Sequence, residues 1–273
     1  MKFFSLDLKT KFTKPPTLME ALIFLKKFNS SQIEDLTTKG AVWIKNKTKT
    51  IQRCYKIDHK LNLDDTLLVY YDPRILSLPA LTKADCLFEN KHYGIWLKPV
   101  GVLSQGSQAS DHTSLFRFIE KLKGKVYLVH RLDRETSGVM IFSYTAESAK
   151  QFSKMFQEHR VFKVYEAIVS GILPLGVEQT ISFDLDDKKA LTRFTGLKAQ
   201  SDKTLVSIVL ETGRLHQIRR HFNMLGHPVM GDPKYGIGNK NKEGLKLLAK
   251  EIRFLDPWSK KEVSFTYPDS LSF

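Results

Sequence analysis

His130-Arg131-Leu132-Asp133-Arg134-Glu135-Thr136-Ser137-Gly138 separates two apolar runs, Lys125-Val126-Tyr127-Leu128-Val129 and Gly138-Val139-Met140-Ile141-Phe142. Short runs of this kind predict strands, so the polar segment between them emerges at a strand end on a rigid scaffold. Taken alone, the segment has two readings. Asp, Thr and Ser bond nearby amides in turns, and Gly138 supplies an unusual dihedral; alternatively, the charged side chains carry chemistry. It is not a kinase catalytic loop, because Leu132 interrupts the His-Arg-Asp order, no Gly-rich phosphate loop precedes it and no Asp-Phe-Gly follows. A Ser-His-Asp hydrolase is equally poor, since the chain has no Gly-x-Ser-x-Gly elbow.

Outward from this loop, strands and helices alternate irregularly. Ile95-Trp96-Leu97 predicts a strand ending at Lys98-Pro99, and 161–169 and 204–210 predict two more. Residues 146–157 predict a helix with Ala146, Ala149, Phe152 and Phe156 on one stripe. Helices do not follow every strand, which predicts an α+β fold with a mixed sheet rather than a doubly wound parallel one. After Gly213, the spacing of Leu215, Ile218, Phe222 and Leu225 predicts a helix with one apolar stripe. His216, Arg219 and Arg220 are spaced to line one edge of it. The intervals between His216, His221 and His227 fit no zinc signature, so no metal is expected.

The first third of the chain has a different character. Residues 15–28 predict a helix opened by Pro15-Pro16-Thr17, and Asn29-Ser30-Ser31 starts a second, with Ile33 and Leu36, closed by Lys39-Gly40. Strands are expected at 41–46 and 66–71, with a turn at 62–65 and a linker at 73–84. The 273 residues suggest one large or two unequal domains. The chain carries 43 Lys and Arg against 29 Asp and Glu, net +14, and residues 1–83 hold half of that excess, with 15 basic against 8 acidic residues. Between 39 and 60 a single acid, Asp58, stands among seven basic residues, and Trp43 and Tyr55 are interleaved with them. Such an excess favours polyanionic partners or serves as a solvated lysine-rich surface. Lys45, Lys47, Lys49, Arg53 and Lys56 form the candidate nucleic-acid-binding patch. No apolar run of about 18 residues predicts a membrane span. The start is charged too early for a signal peptide, and Cys54 and Cys86 suggest neither disulfide nor zinc. A cytoplasmic protein is expected.

The strings HRLDRETSG at 130–138, TGRLHQIRRH at 212–221 and GHPVMGDPKYG at 226–236 resemble the signature blocks of RluA-type pseudouridine synthases. Lys98-Pro99-Val100-Gly101 and Lys163-Val164-Tyr165 are similar to two further blocks, and the order matches. The resemblance covers 85–273 closely. Residues 15–72 resemble more loosely the alpha-L RNA-binding motif, from which Glu34 and Asp35 depart by making the second helix acidic. The resemblance implies a small α/β RNA-binding-like domain at 1–72, a linker at 73–84 and a catalytic domain at 85–273, with a mixed, largely antiparallel sheet and flanking helices.

The implied activity is isomerisation of uridine in RNA to pseudouridine: the base–sugar bond breaks and re-forms through carbon 5, without cofactor, metal or redox change. Asp133 corresponds to the family's nucleophile or base. Arg219 corresponds to its arginine partner, expected to hold the carboxylate at two points. Tyr165 corresponds to the tyrosine that stacks on the base, and Ile218 adds an apolar wall. Arg131 is expected to hold the flipped-out strand or the catalytic loop, and Lys98, Arg214 and His216 to bind substrate. Large-subunit ribosomal RNA is the first expected substrate and transfer RNA the second; a catalytically silent RNA-binding or ribosome assembly factor is the remaining alternative. Neither a membrane nor an obligate protein partner is implied.

Overall fold

Thr17 starts the first helix, α1 (Leu18–Phe24). Its hydroxyl accepts the Glu20 N–H, and the Glu20 carboxylate accepts the Thr17 N–H, so two donors of the first turn are satisfied. Asn29 and Gln32 repeat the arrangement at α2 (Ser30–Thr38), which ends at Lys39 and at Gly40, with φ of 74°. The first helix is shorter than expected because Leu25 closes it and Lys26 turns to φ of 50°.

The computed structural model describes residues 1–236 and 243–273, which divide into two units. The front unit comprises 1–82 and 105–121. Its four-stranded antiparallel sheet joins β1 (Lys2–Asp7), β2 (Val42–Lys45), β3 (Ile51–Arg53) and β4 (Thr66–Tyr71) in the order β1-β4-β2-β3. Leu6, Val42, Ile44, Leu67 and Val69 from the sheet share a core with Leu18, Leu22, Ile33 and Leu36 from the helices. Only Leu6 of β1 is buried, so that edge strand lacks the alternation that would have announced it.

Two features depart from the expected domain plan. The segment read as a linker starts with a short helix, α3 (Pro73–Leu76), capped by Asp72, and Leu76 belongs to the front core. Residues 105–121, expected in the catalytic part, also belong to the front unit and run into α4 (Leu115–Lys123). The contacts are specific: Asp111 N–H donates to the Lys39 carbonyl at 3.1 Å, Trp43 Nε1 to the Gln108 carbonyl at 2.8 Å, and Arg117 lies 3.7 Å over the Tyr55 ring.

The second unit, 83–104 and 122–273, is built on a ten-stranded sheet. In chain order its elements are β5 (Cys86–Glu89), β6 (Tyr93–Lys98), β7 (Tyr127–Leu128), β8 (Ser137–Ser143), α5 (Ala146–Gln157), β9 (Val161–Ser170), β10 (Glu178–Ile181), β11 (Thr192–Gln200), β12 (Lys203–Leu210), α6 (Gln217–Met224), β13 (Leu247–Leu255) and β14 (Glu262–Thr266). The spatial order is β10-β11-β12-β9-β13-β8-β6-β5, with β14 on β13 and β7 on β8. Among the named strands of the described residues the only parallel pair is β8 with β13, where Gly138 faces Ala249. A Cβ on Gly138 would lie 2.3 Å from the Ala249 carbonyl, and its φ is 133°, so close pairing at this central strand requires glycine. This is the α+β, largely antiparallel architecture expected. No helix among the described residues is long and apolar enough to cross a membrane.

Two cores flank the middle of the sheet. Phe152 and Met155 of α5 pack with Tyr93, Ile95, Val139, Ile141, Ile252 and Phe254. Ile218 and Phe222 of α6 pack with Ala167, Val169, Phe194, Val206 and Ile208; burying each such side chain stabilises by about 1.5–3 kcal/mol. The expected stripe on α6 is corrected at both ends. Leu215 precedes the helix, and Leu215 and Leu225 are exposed.

Candidate active site

The 130–136 loop is fixed from behind by the segment following β6. Lys98 is fully buried, and its Nζ donates to the carbonyls of Pro99, Val102 and Arg134 at 3.0, 2.6 and 3.1 Å. Gly101 N–H donates to the Arg134 carbonyl, and Arg134 Nε returns a bond to the Gly101 carbonyl. Ser104 bonds both backbone groups of Leu132. His130 Nε2 accepts the Ile141 N–H at 2.9 Å, and burial, with the Lys163 charge adding to it, pulls its pKa down to about 3. A neutral imidazole therefore carries its proton on Nδ1. These ties leave Asp133 half-buried, at the wall of a cavity of about 410 Å³.

Three elements converge on that cavity. The loop supplies Asp133, the alternation of β9 turns Lys163 and Tyr165 to one side, and the start of α6 supplies His216, Ile218 and Arg219. Arg219 Nη1 donates to Asp133 Oδ2 at 3.1 Å, and His216 Nε2 lies 3.7 Å from the same oxygen. The two-point grip goes elsewhere. Arg219 Nε and Nη2 bond to Asp232 Oδ2 and Oδ1 at 2.7 and 2.8 Å, so the expectation that the fork holds Asp133 is corrected. A guanidinium offers one fork along this edge, and a fully buried carboxylate occupies it.

The electrostatics follow from burial and partners. Burial works against the Arg219 charge, but Asp232 and then Asp133 outweigh it and raise the pKa above the ordinary arginine value. For Asp232, burial works to raise the pKa, yet Arg219 and the N–H groups of Tyr235 and Lys234 bring it below the usual carboxylate value. Burial, with the Asp133 charge adding to it, raises the Tyr165 phenol, which keeps it neutral. Burial lowers His216 against the pull of Asp133. His216 also adopts a left-handed conformation, φ of 53°, strain of the kind that collects at functional sites.

Residues 92–224 match the family model described as RNA pseudouridylate synthase. The chain is 31% identical to the tRNA pseudouridine synthase C of Vibrio parahaemolyticus, over 67% of this chain and 89% of that protein. It is 33% identical to the ribosomal large subunit pseudouridine synthase C of Buchnera aphidicola, over 68% of each. The chain belongs to the RluA family of RNA pseudouridine synthases. In fold it is similar to the solved structure of human RNA pseudouridylate synthase domain containing 1, with a TM-score of 0.57 and 24% identity over 68% of this chain and 84% of that one.

In this pseudouridine synthase Asp133, Tyr165, Arg219, Arg131, Ile218, Arg214 and His216 all line the one cavity. Lys98 does not: its ammonium is spent on three carbonyls behind the loop, which corrects its expected place against substrate. The basic patch is also revised. Lys47, Lys49 and Lys56 are exposed and Lys45 is half-buried, but Arg53 is turned inward. It donates to the carbonyls of Gly40 and Ser107, pairs with Asp111 at 3.5 Å and lies 4.1 Å over Trp43. Trp43 and Tyr55 thus serve as seats for Arg53 and Arg117.

Sequence reasoning left Asp232, Lys163 and Ser104 without a role. Asp232 and Lys163 stand inside quoted blocks, so the signal was present but ambiguous. Ser104 had none.

Proposed function

We propose that this pseudouridine synthase isomerises uridine in large-subunit ribosomal RNA, with Asp133 as the reacting carboxylate and without a cofactor. One observation carries the reading: the two Asp133 oxygens differ. Oδ2 is tied to Arg219 at 3.1 Å, whereas Oδ1 has no hydrogen-bond partner among the described residues. A carboxylate anchored at one oxygen keeps the other free for a sugar carbon or a sugar proton. Arg219 stabilises the anion and orients it. Tyr165 and Ile218 supply the faces against which uracil packs, and Arg131, Lys163 and Arg214 supply positive charge beside it. The target base reaches the cavity only when flipped out of its stack, which costs a few kcal/mol. In the product N1–C1′ is broken, C5–C1′ is formed, the C5 proton has left and N1 has gained one, so the atoms balance without an oxidant or reductant.

The front unit supports RNA docking through the exposed Lys47, Lys49 and Lys56. That unit, and the Buchnera relative's name, favour ribosomal RNA. The Vibrio relative's name favours transfer RNA as a second reading. RNA tritiated at uridine C5 tests both. Label release from ribosomal RNA is expected; release from transfer RNA alone moves the substrate to the second reading. Asp133→Asn is expected to bind RNA and release no label. Turnover above about a tenth of wild type by that variant would remove Asp133 from its role.

A further inference from the structure

Asp232 is not part of the cavity lining, yet both groups that face Asp133 lead back to it. Its carboxylate is completely buried and accepts four N–H groups. Nε and Nη2 of Arg219 come at 2.7 and 2.8 Å, and the backbone N–H groups of Lys234 and Tyr235 at 2.8 and 3.0 Å. The first pair leaves Arg219 Nη1 as the group that reaches Asp133. The second pair fixes the backbone of Tyr235, whose hydroxyl sits 3.0 Å from His216 Nδ1, with the opposite ring nitrogen 3.7 Å from Asp133. The Tyr235 ring also lies 5.3 Å from the Arg219 guanidinium.

We propose that Asp232 is the positioning residue of this site, anchoring at one buried carboxylate the two arms, Arg219 and Tyr235–His216, that orient Asp133; the inference rests on Asp133 being the reacting group. The physical ground is rotamer freedom. A long arginine side chain bound at one N–H samples many geometries, whereas a forked ion pair fixes its plane. Delivering the third N–H to Asp133 in one orientation is what the fork adds, and it is realised in turnover more than in RNA affinity.

Asp232→Asn keeps an acceptor for the two backbone N–H groups but sets an amide against Arg219 Nε, which opens the fork. Under single-turnover conditions label release is expected to fall by more than about tenfold while RNA affinity stays within about threefold. Asp232→Glu restores the charge and is expected to recover part of that loss. Tyr235→Phe removes only the histidine arm and is expected to slow release about threefold or more with unchanged affinity. In an Arg219→Met background, Asp232→Asn is expected to change the rate by less than about threefold, because the arm it holds is already gone. That neutral pair, like Tyr235→Phe, keeps the test in place if Asp232→Asn alone does not fold.

A fall of less than about tenfold in Asp232→Asn, or a further fall of more than about tenfold in the Arg219→Met background, overturns the proposal. So does a loss of affinity that matches the loss of rate. Turnover by Asp133→Asn above about a tenth of wild type would instead overturn the reading of Asp133 itself, which separates the two failures.

Discussion

Ser104 Oγ bonds Leu132 twice, accepting its N–H at 2.9 Å and donating to its carbonyl at 2.7 Å. Both residues are buried, and Asp133 is next in the chain. One hydroxyl thereby does for the loop what a neighbouring strand does for β8. Ser104→Ala leaves a buried donor and a buried acceptor unpaired, each costing about 1–3 kcal/mol. The variant is expected to melt earlier and to isomerise about tenfold more slowly at saturating RNA, with affinity unchanged. Single-turnover label release and a melting curve check this. An unaltered rate would mean that Lys98 and Gly101 hold the loop without Ser104.

Lys163 is a half-buried cavity cation with work left to do. Arg219 is matched by Asp232 and Asp133, and Arg214 Nε is bonded to the Lys189 carbonyl at 3.1 Å. Lys163 has no carboxylate within ion-pair distance among the described residues, and burial lowers its pKa against the pull of Glu211. A desolvated cation gains most from an incoming phosphate. Lys163→Gln is expected to weaken RNA binding and to flatten its logarithmic salt dependence by about one unit. The rate at saturating RNA should change little. Titrations at several salt concentrations decide it: an unchanged slope assigns Lys163 to packing alone.

How far the sequence carried depends on which forces were local. Helix α5 was readable to its ends from its apolar period, although its buried side is Ser148, Phe152 and Met155 while Ala146 is exposed. The cavity residues were readable because their blocks resemble a family. Neither kind of signal tells which of two carboxylates takes an arginine's fork. That competition between Asp133 and Asp232 is settled only when loops far apart in sequence meet, and burial gave the fork to Asp232. The same limit misplaced Lys98 and Arg53. A basic residue in a polar stretch looks solvent-facing until backbone carbonyls or an acid from 105–121 is found around it.

Arg53 and the exposed lysines of the front unit should therefore behave differently. Changing Lys47, Lys49 and Lys56 together to Gln is expected to leave the melting temperature unaltered and to reduce both RNA affinity and its salt dependence. Arg53→Gln strips the ion partner from Asp111 and the donors from Gly40 and Ser107, and is expected to destabilise the unit by about 3 kcal/mol. Substitution is the sharper test than deletion of 1–72, since deletion also removes the partners of 105–121. If the triple variant binds RNA with the wild-type salt slope, the front unit does not dock on phosphates.

His130 ties the site to acid stability. In the unfolded chain its imidazole titrates near 6.5; in the fold burial pulls it down to about 3, with Lys163 adding to the effect. Between those values the unfolded chain binds one more proton than the native state, so stability rises with pH across the window. His130 therefore opposes folding progressively as pH falls from about 6.5, by about 1.4 kcal/mol for each unit, and the decline levels off below about 3. His130→Gln retains an acceptor for the Ile141 N–H, at 2.9 Å in the native chain, and removes the titration. Urea unfolding of both proteins between about pH 4.5 and 7.5 measures the difference, with the variant losing less stability toward acid. Parallel acid limbs would mean that the imidazole is protonated in the folded protein, and the Ile141 N–H would then have no acceptor on it.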